Sequence, residues 1–256
     1  MKNYLPKDYN SHANNFDICQ DNDGKIFVAN ANGILIYDGF NWSLNKSKEE
    51  DYVLSVFKST KNIIYYSLDE TRDFGMFEQL KNGKYVYTSI RNNIRDNEQP
   101  KEPIKQIFEH NNAIYFLSSD KLVEYRNNEF KTYNPTNSFN IRTLKIGKHL
   151  FFIDLENQLL VLNNGILAPV KHTQKLAFNK AFFSYKLTPT NYAVGFRNIG
   201  IYITKYDSLH PENTVFEKQD VACDAELIES EINNGTALAN GDFVVTSNKK
   251  GAFIIN

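Results

Sequence analysis

"FDICQDNDGKIFVANANGILIYDGFNWSL" (Phe16 to Leu44) decides the fold. Four short apolar runs alternate with turns rich in Asn, Asp and Gly. The runs are too short for amphipathic helices, and their β-branched and aromatic residues suit a pleated surface. Asp23-Gly24 and Asn32-Gly33 stand where type I′ hairpin turns need positive φ at both central residues. The stretch reads as four strands joined by three turns. Asp38, in "YDG", is either a group in a site or turn punctuation, and the pattern around it favours the turn.

The unit recurs along the chain. "VLSVFKSTKNIIYYSLDETRDFGMFEQLKNGKYVYTSI" (Val53 to Ile90) repeats it with a longer central loop. "IKQIFEHNNAIYFLSSDKLVEYRNNEFKTY" (Ile104 to Tyr133) is the most compact copy. "IRTLKIGKHLFFIDLENQLLVLNNGILAPV" (Ile141 to Val170) and "FFSYKLTPTNYAVGFRNIGIYITKYDSLHPENTVFEKQ" (Phe182 to Gln219) follow. "EINNGTALANGDFVVTSNKKGAFIIN" (Glu231 to Asn256) begins a sixth and stops.

Second strands start near Ile26, Ile63, Ala113, Leu150, Tyr192 and Phe243. That spacing, roughly 37 to 51 residues, is the size of one four-stranded propeller blade. Asn82-Gly83, Asn164-Gly165 and Asn240-Gly241 repeat the turn signal, and Asn-Asn or Lys-Asn pairs take its place elsewhere. Helical patterns are confined to "KEEDYVLSVFKS" and "DAELIESEIN", both short. The expectation is an all-β β-propeller over residues 1–256, with four-stranded antiparallel blades, five full and part of a sixth. "MKNYLPKDY" would supply a closing strand or lie across the first blade. An unclosed ring leaves sheet edges exposed, so the favoured reading is a piece of a longer parent.

Composition narrows the function. The chain has 256 residues, 41% hydrophobic and 14% aromatic, and a net charge of −1. No basic run points to nucleic acid, so no nucleic-acid contact is expected. No run approaches the ~18 apolar residues of a membrane span. "MKNYLPKDYNSHANN" lacks an apolar leader core, which leaves a cytoplasmic protein or one whose leader precedes Met1. Cys19 and Cys223 form no disulfide framework and read as small buried hydrophobes.

Catalytic chemistry finds little support. Aligning Gly24 with the glycine of a calcium loop puts Cys19 and Asn30 at positions that need carboxylates. His12, His110, His149, His172 and His210 show no i, i+4 ligand pair and read as turn and surface positions. Asp17, Asp69, Asp73, Asp154 and Asp224 could converge from different blades, yet no spacing selects two of them. No catalytic residue, metal site or cofactor is therefore expected. Binding is better served, because loops gathered at one end of the blades often carry function. The candidates are Arg72, Asp73 and Phe74 in "SLDETRDFGMFEQL", Phe139 in "NPTNSFN", and Arg197 and Asn198 in "GFRNIG". Sugars bind by stacking on rings with polar groups beside them.

Tyr9, His12, Asn15, Asp21, Asp23-Gly24, Asn30, Gly33, Tyr37-Asp38-Gly39 and Trp42 also make the opening resemble a known family. It is the two-component regulator propeller family, the N-terminal sensor propellers of bacterial hybrid two-component and helix-turn-helix regulators. The Val53 to Ile90 stretch, with Asp73-Phe74-Gly75, looks like that family's second blade, and the closing stretch like a later one. The resemblance implies a sensor of a small molecule or glycan fragment, with no catalytic residues. It implies a periplasmic location if a signal peptide precedes Met1, and homodimer contacts made by downstream modules. A propeller-fold glycosidase or lyase and a protein-interaction scaffold are the alternatives.

Overall fold

Short apolar runs separated by turn residues pair with their neighbours in the chain. The computed structural model describes residues 3–47, 50–171, 173, 181–238 and 240–255. Its first sheet holds β1 (Asn15–Gln20), β2 (Ile26–Asn30), β3 (Gly33–Tyr37) and β4 (Trp42–Asn45), antiparallel and in chain order. The second holds β5 (Val53–Lys58), β6 (Ile64–Leu68), β7 (Phe74–Gln79) and β8 (Tyr85–Ser89). The third holds β9 (Gln106–His110), β10 (Ala113–Leu117), β11 (Leu122–Arg126) and β12 (Glu129–Tyr133). These three sheets lie in one compact unit, Met1–Asn134.

The second unit, Pro135–Asn256, repeats the plan. Its sheets are β13 (Phe139–Ile146), β14 (His149–Asp154), β15 (Leu159–Asn163), β16 (Ile166–Pro169), then β17 (Ala181–Lys186), β18 (Asn191–Phe196), β19 (Gly200–Lys205), β20 (Val215–Gln219). The sixth sheet has three strands, β21 (Ile232–Ala237), β22 (Phe243–Ser247) and β23 (Ala252–Ile255). Five four-stranded blades and a partial sixth match the sequence reading. Second strands begin at Ile26, Ile64, Ala113, His149, Asn191 and Phe243, within a residue of the expected starts.

Within each unit the blades stack through their first strands: β1 on β5, β5 on β9, β13 on β17 and β17 on β21. Alternating side chains serve opposite neighbours. Tyr66 and Phe77 of blade 2 face Phe27 and Ile34 of blade 1. Tyr65 and Phe74 of the same blade face Phe116 and Val123 of blade 3. In the second unit Phe151 and Val161 pack with Val194, Phe196 and Phe216. Each such buried side chain contributes about 1.5–3 kcal/mol.

The turns differ from the expectation. Type I′ geometry, with both central φ angles positive, holds at Asn164-Gly165 (48° and 76°) and at the pairs Asn111-Asn112 and Asn127-Asn128. At Asp23-Gly24, Asn82-Gly83 and Asn240-Gly241 only the glycine has positive φ. There the Gly24 N–H donates to the Asp21 carbonyl and the Asp21 N–H to Lys25, with the same pattern at Gly83 and Gly241. A tight turn followed by one left-handed residue also fits the strand twist, and it needs positive φ at one position instead of two. Gly33 has a second reason to be glycine. A Cβ there would lie 2.4 Å from the Asn45 carbonyl oxygen.

Among the described residues two short α-helices accompany the strands. α1 (Pro6–Tyr9) lies against β4, so the N-terminal segment lies on the first blade and adds no strand to a sheet. α2 (Asp224–Ser230) takes up most of "DAELIESEIN" and buries Leu227 completely. Among the described residues no helix is long and apolar enough to cross a membrane.

Candidate functional site

Antiparallel order gives each blade two distinct ends. One end carries the first-to-second and third-to-fourth turns. The other carries the second-to-third turn and the connection into the first strand. All six sequence-predicted residues lie at this second end of their blades. Arg72, Asp73 and Phe74 belong to the first unit, and Phe139, Arg197 and Asn198 to the second.

The β6–β7 turn is held by a carboxylate outside it. Asp51, 3% exposed, accepts from the Glu70 N–H at 3.0 Å and from the Thr71 N–H and Oγ1 at 2.8 and 2.7 Å. Burial alone would raise its pKa, but the Thr71 and Glu70 amides and the Thr71 hydroxyl outweigh it and hold it below the usual value. Asp73 is also committed, accepting from Tyr66 Oη at 2.7 Å and Ser89 Oγ at 2.5 Å. Between these anchors Arg72 adopts φ 57° and is exposed, and its guanidinium makes no hydrogen bond or ion pair with the described residues. Phe74 is fully buried, 4.6 Å from the Phe116 ring.

The second unit shows the same division. Phe139 is 1% exposed and packs 5.3 Å from Phe152. Asn198 is exposed at the β18–β19 turn. Arg197 beside it is half-buried, and its charge reaches Glu231, whose carboxyl is held low mainly by hydrogen bonds from Lys249 and Asn248. The side chains presented to solvent are thus Arg72, Asn198 and part of Arg197. Both phenylalanines are core residues with no ring face open for stacking.

Sequence reasoning named Asn30 and Asp154 in other roles and did not name Asp120, and it missed that these polar groups position turns. Asn30, fully buried, has its Nδ2 within hydrogen-bond distance of the His12 and Asn14 carbonyls, and its Oδ1 accepts from Ser11 and the Asn32 N–H. Asp120 accepts from the Lys101 and Glu102 amides and from Ser118 Oγ. Asp154, fully buried, accepts from the Glu156 and Gln158 amides. Their common signal is a polar residue at the end of an apolar second strand or within three residues of it.

The remaining chemistry-bearing residues are tied into the scaffold. Asp38 caps its own turn, its Oδ1 accepting from the Phe40 and Asn41 amides at 2.8 and 2.7 Å. The Asn41 and Phe40 amides hold its pKa below the usual value. Asp17 accepts from Ser55 Oγ at 2.7 Å and joins blades 1 and 2. Asp69 pairs with Lys105 at 3.2 Å, and Asp224 with Lys218. His149 departs from its expected surface position. It starts β14 inside the structure, 9% exposed, with Nδ1 2.7 Å from Tyr206 Oη. His12 and His210 are exposed, and His172 lies outside the described residues. Cys19 packs beside the core between blades 1 and 2, and burial, helped by Asp17 and Asp21, pushes its thiol up to about 12. Among the described residues no three His, Cys, Asp or Glu side chains are grouped so that they could hold a metal ion.

No family model matches the chain, and no curated protein does. Solved structures match along most of its length. The extracellular domain of the hybrid two-component system BT3049 from B. thetaiotaomicron is 13% identical, with a TM-score of 0.59, over 100% of this chain and 35% of that one. That of BT4673 from the same organism is 12% identical, with a TM-score of 0.60, over 93% and 31%. Virginiamycin B lyase from Staphylococcus aureus is 14% identical, with a TM-score of 0.59, over 91% and 77%. The chain is therefore a β-propeller in fold class, and it spans about a third of the length of the two extracellular domains. At these identities the likeness is one of fold.

Proposed function

We propose that residues 1–256 form the ligand-sensing β-propeller module of a bacterial signalling protein of the two-component regulator propeller family, working in the periplasm. The observation that carries this reading is the match of the whole chain to the extracellular domain of a hybrid two-component system. The ligand is a small molecule or glycan fragment, met at the blade ends that carry the second-to-third-strand turns. Arg72 is the leading contact, because Asp51 and Asp73 fix the backbone on both sides of it and leave its guanidinium free to donate. A preorganised donor of this kind loses little entropy on binding. Asp73 is a positioning residue, since both its oxygens already accept. Binding biases the output by favouring one arrangement of the protein over another.

A thermal-shift screen of oligosaccharides tests the reading. One glycan class should stabilise the wild type by about 2.7 kcal/mol at a hundredfold excess over its Kd. Arg72→Ala should raise that Kd at least tenfold, which at the same ligand concentration leaves no more than about 1.4 kcal/mol of stabilisation, without altering the unliganded Tm. A flat response across the panel, or an unchanged response in the variant, would remove the proposal. A second reading, an enzyme, draws on the likeness to virginiamycin B lyase, one structure of which is the catalytically inactive H270A form with quinupristin. A new chromatographic product from quinupristin would replace the sensor reading with that one.

A further inference from the structure

The blade ends opposite Arg72 carry the first-to-second and third-to-fourth turns. There, between blades 2 and 3, opens a cavity of about 240 Å³. Ile63, Tyr65 and Met76 of blade 2 and Ile114 and Tyr125 of blade 3 give it apolar and aromatic walls. Its rim is polar, with Lys61 from the β5–β6 turn, Asn112 from the β9–β10 turn, and Asn127 and Asn128 from the β11–β12 turn. The rim is held in place. Glu109 of blade 3 accepts from the Thr60 N–H and Oγ1 of blade 2 at 2.6 and 2.7 Å, which ties one blade end to the other. Asn112, Asn127 and Asn128 have φ of 60°, 51° and 65° in their hairpin turns. Asn128 Oδ1 accepts from Tyr125 Oη at 2.7 Å. The Lys61 ammonium and the Asn112 and Asn127 amides are exposed and make no hydrogen bond or ion pair with the described residues.

The neighbouring cleft, between blades 1 and 2, differs in one respect. There the Lys25 ammonium lies 5.8 Å from the Tyr85 ring centre and donates to its hydroxyl at 3.3 Å, so the chain covers its own ring. Tyr125 stacks on Phe130, 5.1 Å away, and among the described residues no cation lies over it. Mixed charge then narrows the class of ligand. A phosphate or sulfate would meet the Glu109 carboxylate, and a lone ammonium would meet Lys61 and Arg126. Arg126 is already engaged by Glu124 at 3.0 Å and by the Asn111 carbonyl at 2.7 Å. What stays open is a half-buried ring beside amides that both donate and accept, a setting that suits hydroxyls carried on an apolar ring. The volume gives room for one such ring and falls short of a drug-sized pocket. We propose that the cleft between blades 2 and 3 binds a single neutral pyranose sugar residue, stacked on Tyr125 with its hydroxyls on Asn112, Asn127 and Lys61. The cleft is separate from the Arg72 turn, and neither proposal needs the other.

The titration uses the full-length Arg72→Ala chain, so that any sugar held at the other blade end drops out. The methyl glycosides of glucose, galactose, mannose and xylose are added one at a time and followed by saturation-transfer NMR. At least one should bind saturably. Adding Asn112→Gly and Asn127→Gly together keeps the positive φ at both turns and removes both amides. That change should raise the Kd about fivefold or more, with an unchanged circular dichroism spectrum. Free glutamine, a zwitterion, and inorganic phosphate should not displace the sugar. Absence of saturation across the four glycosides, indifference to loss of the two amides, or displacement by glutamine or phosphate would overturn the proposal.

Discussion

The two faces of the first blade come from the same strands and end differently. Phe27, Ala29, Ile34 and Ile36 point toward blade 2 and meet a second apolar sheet. Ile26, Val28 and Leu35, one residue out of phase, point the other way, and within this unit they pack with Trp42 and Leu44 of β4 and with the N-terminal Tyr4 and Tyr9. Strand periodicity made both faces apolar, because a propeller strand normally has a blade on each side. The difference teaches that local pattern sets which residues alternate, while the neighbouring element decides how dry each face becomes.

Three measurements would break or sharpen this contrast. Phe27→Ala should cost about 3–5 kcal/mol in urea unfolding, since a buried ring set edge-on to Phe77 and Tyr85 is removed. A loss below about 1 kcal/mol would mean the inner face is not closed. Cys19 reports on that face without mutation. With its thiol pushed from 9.0 to about 12, it should hold about a thousandfold less thiolate at pH 8 than an ordinary cysteine. Its alkylation, followed by peptide mass mapping, should be slow in the native protein and rise toward the normal rate only in denaturant or as pH nears the raised value. A normal native rate at pH 8 would show blades 1 and 2 separating readily. Ile18→Ala, on the other face, should shift stability by no more than about 0.5 kcal/mol. A cost approaching that of Phe27→Ala would mean something covers the outer face in solution.

Blade boundaries were legible in the sequence because period-two runs and regular spacing are local signals. Turn type was less so. An Asn-Gly pair serves either two left-handed positions or one, and the strand register that chooses between them depends on both flanking strands. Phe74 and Phe139 adjoin turns, and their nearness to loops suggested exposure. Each in fact starts a strand and points into the core, a direction set by the pleat. Asp51 follows two other acids in "EEDYV", and nothing local marks it as the one that collects the Glu70 and Thr71 amides. His149 was read as a surface group because its partner, Tyr206, lies 57 residues away in sequence.

Within every blade, each hydrogen-bonded strand pair joins neighbours in the chain. The consequence is temporal. All the pairing information for one blade is contained in roughly forty residues, so a nascent chain holds a whole sheet's partners soon after that stretch clears the ribosome. What each new blade lacks at that moment is the apolar face of its successor. Synthesis should therefore proceed as a series of short waits, each ended by the next repeat.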